Sequence, residues 1–327
     1  MRIALDAMGT DNHPSVEVEG AVQALREVEG DFRIALVGDT AAIRTELERL
    51  GEAESERLNI IHASERIAPG EPAVTAVRRK PDSSIVVGLT LQKEGEVDAF
   101  VSAGSTGAVM AASLFILRPL PGVDRPAIAT ILPTARGPVV MLDGGANVDC
   151  KPSHLVQFAR LGAVYAHDVL GRESPRVGLL NIGEEPEKGN EVSVETHRLL
   201  AATDLDFVGN VEGREIITGA CDVLVTDGFV GNVLLKFYES VAVFVFGLLR
   251  KELSSEDTGA INRVSRILDY AEYGGAPLLG VNGISMICHG GSSPRAICNA
   301  LKAAMTASNA HMVGHIREDV GVQTEAG

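Results

Sequence analysis

A short apolar run, closed by glycines and polar residues and followed by a helical pattern, recurs along this chain and constrains its fold more than any other feature. Strand-like runs stand at Arg2–Asp6, Phe32–Val37, Leu58–His62, Asp98–Ser102, Val177–Asn181, Phe207–Val208, Asp222–Asp227 and Ser285–Cys288. Between them, helical spacing of apolar residues predicts helices over Pro14–Glu29, Thr40–Leu50 (with Thr40 as cap), Ser83–Glu94, Thr106–Leu117, Pro152–Leu170 and Ser293–Ile316. Strands alternating with helices bury their faces as layers. Two apolar runs, Ala127–Leu132 and Val139–Asp143, are separated only by Pro133–Pro138, which predicts a hairpin and a sheet that is not wholly parallel. The expected fold class is therefore α/β, a three-layer α/β/α arrangement on a mostly parallel, mixed sheet. The 327 residues suit one α/β unit over 1–327, with division into two lobes left open.

The formal net charge of −15 argues against nucleic acid as a partner, because phosphate contacts need clustered Lys and Arg. Cysteines stand at 150, 221, 288 and 298 with no C-x-x-C pair, and no histidine cluster has zinc spacing. Four reduced, mostly buried thiols in a cytosolic protein are expected. The start, MRIALDAMG, turns acidic at Asp6, too early for the apolar core of a secretory signal. Ala99–Leu117 carries no charge over 19 residues, yet its Gly104, Gly107 and serines read as strand, turn and buried helix. Phe229–Leu253 is apolar on most sides, with VAVFVFGLL at Val241–Leu249, and is followed by an amphipathic segment at Ile261–Tyr273. This helical pair, 229–273, is expected to serve a dimer interface, with contact to a membrane surface as the second reading. The tail Arg317–Gly327 is expected to fray.

The turn with the most chemistry is Leu180–Glu191, LNIGEEPEKGNE, which packs Glu184, Glu185, Glu187 and Lys188 between Gly183 and Gly189. DAMGTD (Asp6–Asp11), SAGSTGA (Ser102–Ala108), DGGANVDCK (Asp143–Lys151), DGFVGN (Asp227–Asn232) and HGGSSP (His289–Pro294) occupy other strand ends. Open α/β sheets bind ligands at the carboxyl edge of their strands. Helix N-termini, hydroxyls and Lys188 there suit an oxyanion such as phosphate. The chain has no Walker loop, no G-x-G-x-x-G after its first strand and no G-x-S-x-G elbow. His289, beside a glycine turn, has an acid–base reading and a plainer one as a hydrogen-bonding turn residue.

In order along the chain, IALDAMG, SAGSTGA, GANVDCKPSHLVQFA, GLLNIGEEPEKGNE, GNVEGR, DGFVGNVLLK and GVNG…CHGGS resemble the bacterial phosphate acyltransferase family, the acyl carrier protein:phosphate transacylases. The resemblance runs from Ile3 to about residue 310. It implies a fold like that of phosphate acetyltransferases and isocitrate/isopropylmalate dehydrogenases. It implies transfer of a long-chain fatty acyl group from acyl carrier protein to inorganic phosphate, giving acyl phosphate for phospholipid synthesis. It further implies a cytoplasmic homodimer in peripheral contact with the membrane, a downstream acyltransferase that uses the acyl phosphate, and no metal or organic cofactor. Three positions depart from the family pattern: Thr10 for a second glycine, Ser105 for asparagine, and Gly144 for an apolar residue.

Phosphate is already a nucleophile at neutral pH, so this chemistry needs positioning and oxyanion stabilisation more than a covalent intermediate. Lys188, Asn232 and His289 are the expected catalytic residues: Lys188 supplies charge, Asn232 donates to the thioester oxygen and His289 orients the others. Asp6, Ser105, Thr106, Asn190 and Ser292 are the expected phosphate- and substrate-binding residues. An acidic chain must meet an acidic carrier protein through a local basic patch. Arg78-Arg79-Lys80 and Arg250-Lys251 with Arg263 and Arg266 are the candidates. Competing readings are a small-acyl coenzyme A phosphotransacetylase, a metal- and NAD-dependent dehydrogenase on the same scaffold, and a catalytically inert scaffold. The dehydrogenase would need an aspartate cluster of the D-x-x-x-D kind, which does not stand out in the sequence.

Overall fold

The computed structural model describes residues 1–29, 31–252 and 273–324. The chain divides into two compact units, one comprising Met1–Pro126 and Tyr273–Arg317, the other Ala127–Glu272 and Glu318–Gly327. Apart from Tyr273, the segment expected to be helical at Ile261–Tyr273, with Arg263 and Arg266, lies outside the described residues.

The first unit is built on β1 (Arg2–Asp6), β2 (Arg33–Gly38), β3 (Leu58–His62), β4 (Ala99–Ser102), β11 (Ala276–Leu279) and β12 (Ile284–Ile287). They lie in the order β3-β2-β1-β4-β12-β11, all parallel except β11, which runs antiparallel to β12. Parallel strands with helices on both faces have no polar side, which is why β1 and β4 read as uninterrupted apolar runs and are buried almost throughout. Helices α1 (Ser15–Glu27) and α10 (Pro294–Asn309) pack on each other, and α10 lies against β4 and β12. Helices α3 (Ala73–Arg79), α4 (Ser84–Lys93) and α5 (Thr106–Ile116) pack together, with α4 against β1 and β4. The chain leaves β1 toward β2 and β3 on one side, and β4 takes the other side. The β1–β4 pair is therefore where strand order reverses.

The second unit opens with the short β5 (Ala127–Ile128) and holds the sheet β6-β7-β10-β8-β9, formed by β6 (Thr130–Leu132), β7 (Val139–Leu142), β8 (Val177–Asn181), β9 (Phe207–Glu212) and β10 (Val223–Val225), with the one-turn helix α8 (Gly213–Ile216) between β9 and β10. The expected hairpin is β6–β7, antiparallel with Thr130 opposite Met141, and β7, β10, β8 and β9 are parallel. Helix α6 (Pro152–Asp168) packs on β7, β10 and α7 (Glu191–Leu200). Leu132, Val139, Met141, Val211 and Leu224 form a core cluster with Ile216 and Cys221.

Several expectations need correction. Asp39, not Thr40, caps α2 (Thr40–Arg49): its carboxylate accepts from Ala42 N–H at 2.8 Å, while the Thr40 hydroxyl meets the His62 ring. The last helix is two, α10 and α11 (Met312–Thr324), parted at His311, whose φ of +54° lies in the left-handed region. The tail is helical to Thr324 rather than frayed from Arg317.

Candidate active site

In the first unit, DAMGTD, SAGSTG and HGGSSP follow β1, β4 and β12, three adjacent parallel strands, so all three turns stand on one edge of the sheet. A Cβ on Gly9 would lie 2.7 Å from Gly104 N; only glycine lets the first turn press against the second. Asp11 N–H donates to Gly290 O at 2.9 Å, tying the first turn to the third. At the bottom sits Asp6, buried, accepting from Ser102 Oγ at 2.6 Å and Met8 N–H at 3.0 Å. Burial pushes its carboxyl above the usual range, against the pull of the Ser102 and Ser84 hydroxyls and of Arg66. Asp6 is thus an organiser of this edge.

Ser105 is the N-cap residue of α5 by position, but its hydroxyl makes no cap bond, and the first N–H groups of the helix therefore lack a side-chain partner. Ser105 is half-buried and Thr106 exposed. His289 is exposed, and its Nδ1 accepts from Gly291 N–H at 3.1 Å, which places its proton on Nε2 when neutral. Ser292 is half-buried beside Ser293, the residue that caps α10 through Ala296 N–H.

Beneath the first turn lies a residue that sequence reasoning missed. Glu17 of α1 is fully buried and accepts from Thr10 N–H at 2.6 Å and Thr10 Oγ1 at 3.0 Å. Burial pushes its carboxyl up to about 7. Arg66 reaches the same turn from outside, donating from Nε to Met8 O at 2.7 Å.

In the second unit, β7, β10 and β8 are adjacent and parallel, and their carboxyl ends carry DGGAN, DGFVGN and the Asn181–Glu191 loop. Asp143 is buried and takes five donors: Ile128, Gly145 and Ala146 N–H on Oδ1, and Asn147 N–H and Nδ2 on Oδ2. Burial raises its pKa even so. Helix α9 (Gly228–Glu252) begins on this turn. Asp227 accepts from Val230 N–H at 2.8 Å, and a Cβ at Gly231 would overlap the Asp143 carbonyl oxygen. That close approach seats the exposed Asn232 beside Gly145.

Lys188 lies on the loop after β8, held by its backbone. Asn181 Nδ2 donates to Lys188 O at 3.0 Å, and Asn210 Nδ2 braces Glu185 O at 2.7 Å. The Lys188 side chain is exposed, and among the described residues it makes no hydrogen bond or ion pair. Asn190 caps α7, accepting from Ser193 N–H at 2.9 Å. The acids Glu184, Glu212 and Glu215 bring their carboxylates within 4.8 Å of one another, but Arg214 pairs with Glu184 and Glu212, and Glu215 accepts from Glu212 N–H. The structure thus gathers Asp6, Ser105, Thr106, His289 and Ser292 on one edge of the first unit, and Lys188, Asn190 and Asn232 on one edge of the second.

A family described as "Fatty acid synthesis protein" matches residues 1–314. The chain is 51% identical over 328 residues to the phosphate acyltransferase of Desulforamulus reducens, covering 98% of this chain and 97% of the relative. It is 52% identical over 313 residues to that of Geobacter sulfurreducens, covering 93% and 90%. The chain belongs to the phosphate acyltransferase family.

Solved structures agree on the fold. A phosphotransacetylase from Streptococcus pyogenes superposes with a TM-score of 0.66 at 19% identity, over 95% of this chain and 94% of that one. A branched-chain phosphotransacylase from Enterococcus faecalis gives 0.62 at 15%, over 94% and 99%. A 4-hydroxythreonine-4-phosphate dehydrogenase from Klebsiella pneumoniae gives 0.53 at 13%, over 94% and 98%. Two departures from the family pattern now have a physical setting. Thr10 supplies the hydroxyl that Glu17 binds. At Gly144 any Cβ would overlap Thr130 Oγ1, so glycine is the residue that Thr130 permits.

Proposed function

We propose that this chain transfers a long-chain fatty acyl group from the thioester of acyl carrier protein to inorganic phosphate. A phosphate oxygen attacks the thioester carbonyl, a tetrahedral oxyanion forms, and its collapse breaks the C–S bond. The products are acyl phosphate and the carrier thiol, whose thiolate takes up a proton. Lys188 offsets the negative charge that develops on the oxyanion. Asn232 donates its amide to the thioester oxygen. On the first unit Ser105, Thr106, Ser292 and the first N–H groups of α5 hold phosphate, oriented by Asp6 and His289; on the second, Asn190 positions the Lys188 loop.

The observation that carries this reading is an exposed ammonium with no counter-ion among the described residues, on a loop whose backbone two asparagine amides fix. Preorganised charge of this kind acts where charge develops. The test is to mix the protein with phosphate and palmitoyl-carrier protein and trap acyl phosphate with hydroxylamine. Lys188→Ala should reduce the yield rate by about 100- to 1000-fold with the fold intact. Near-normal turnover would remove Lys188 from the mechanism, and no product from the wild-type chain would remove the reaction.

The reading extends to a cytoplasmic homodimer touching the membrane peripherally, near an acyltransferase that consumes the acyl phosphate. Supporting it is α9, whose apolar stretch, Gly228–Leu249, has mean hydropathy 1.6 and, apart from the buried Gly228 and Gly231 and the half-buried Leu234, Leu235 and Tyr238 on the core side, leaves most of its large apolar side chains exposed. Phe229, Val233, Phe237 and Phe244 are each more than half exposed and recur at helical spacing. A stripe of that kind on a soluble chain calls for a cover. Arg78 and Arg79, exposed at the end of α3, and the exposed Lys251 on α9 are candidates for docking the acidic carrier; Lys80 is taken up by Glu71.

A further inference from the structure

A cavity of about 520 Å³ opens at the carboxyl edge of the second unit's sheet, within the size range of small-molecule sites. Leu155 of α6 and Leu179 of β8, both buried, are among its lining residues. Leu180, Ile182, Val192 and Val230 join them, together with Asn181 and Asn190 from the two ends of the loop that carries Lys188. No lysine, arginine or aromatic ring is among the lining residues, and Asp227 is. Such a lining disfavours an anionic or nucleotide ligand, which needs cations or a stacking face, and suits a neutral aliphatic one.

We infer that this cavity seats the acyl chain of the donor, with the thioester end toward the Lys188 loop; the inference rests on the function proposed above. Val192, half-buried in the first turn of α7, is then a chain-length determinant. Each methylene that finds apolar cover gains roughly fourfold in binding, about 0.8 kcal/mol.

The experiment measures kcat/KM for carrier-bound acyl groups of eight to eighteen carbons with the wild-type chain, Val192→Phe and Val192→Ala. Filling the cavity with Phe should lower the long-chain values at least about tenfold more than the short-chain values, roughly the worth of two methylenes. Truncation to Ala should shift the preference toward longer or bulkier chains. A preference unchanged in both variants, or a fall uniform across chain lengths, overturns the inference. Binding of the fluorescent, uncharged methyl ester of cis-parinaric acid reads the cavity without turnover. If the wild-type chain makes no acyl phosphate from any donor, the proposed reaction fails, and the cavity is judged by that probe alone. Weakening by Val192→Phe supports an aliphatic site there, and indifference to the substitution overturns it.

Discussion

Replacing Glu17 by Gln removes a titrating group from the interior while keeping its shape. The amide can still accept from Thr10 N–H, and its NH₂ can donate to the Thr10 hydroxyl. The wild-type carboxyl is pushed from an ordinary 4.5 to about 7, chiefly by burial, with Asp6 adding to the rise and the Thr10 donors opposing it. Its other charged or titratable surroundings are Cys288 just after β12, Arg66 on the turn's Met8 carbonyl, and His13, whose Nδ1 meets Thr10 O. A raised carboxyl pKa means that the fold favours the neutral form. Stability is full below pH 4.5, falls as pH rises toward 7, and is flat above that. The shift is worth about 3 kcal/mol at roughly 1.4 kcal/mol per pKa unit. Asp6 and Asp143 titrate in wild type and variant alike and largely cancel in the difference. Urea denaturation of both proteins at pH 5 and pH 8 is the assay. The variant should gain on the wild type by about 2.5 kcal/mol between those values, most of it by pH 7. A stability difference that does not move with pH would refute the argument that this carboxyl is held neutral by burial.

Lys188→Ala is expected to abolish most acyl phosphate formation without shifting the unfolding midpoint, as hydroxylamine trapping beside a urea titration would show. Asn190→Ala removes the α7 cap and should cost about 1 kcal/mol in urea denaturation, with a loss of turnover because the same residue ends the Lys188 loop. Cys221 and Cys288, with thiols pushed up to about 12 by burial, should resist iodoacetamide at pH 8 in the native protein, while the half-buried Cys150 reacts; mass spectrometry of the labelled peptides decides this. The wild type should sediment as a dimer and the double variant Phe237→Ser/Phe244→Ser as a monomer; the same sedimentation coefficient for both would discharge α9 from the interface.

The central parallel strands were legible because burial on both faces leaves nothing to interrupt the apolar run, and because most of the runs stop near a glycine. Strand β11 was not legible: Pro277 argues against a strand, yet here it pairs with Met286 at the antiparallel end of the ladder. Helix α3 has seven residues, too few for a period to emerge. The break at His311 carries no glycine or proline, so Ser293–Ile316 read as continuous. Among the site residues, loops announced themselves through glycine and charge, which is how Lys188 and Asn232 were found. Glu17 and Arg66 act from outside any motif, through a carboxylate under the first turn and a guanidinium on its carbonyls, and one sequence alone marks neither. Asp143 was visible only as the first letter of DGGAN; its five donors come from a backbone curl that no spacing rule encodes.

The first unit is discontinuous: its sheet begins with Met1–Pro126 and is completed only by Tyr273–Arg317. While the ribosome is still making the intervening stretch, β4 has β1 on one flank and bare backbone donors and acceptors on the other. Its eventual neighbour β12 begins at Ile284. A nascent chain of this design carries a sticky, unpaired ribbon through most of its own synthesis. Truncation at residue 272 should leave that ribbon permanently open, and the product should be found in inclusion bodies or bound to chaperones rather than as a smaller soluble enzyme.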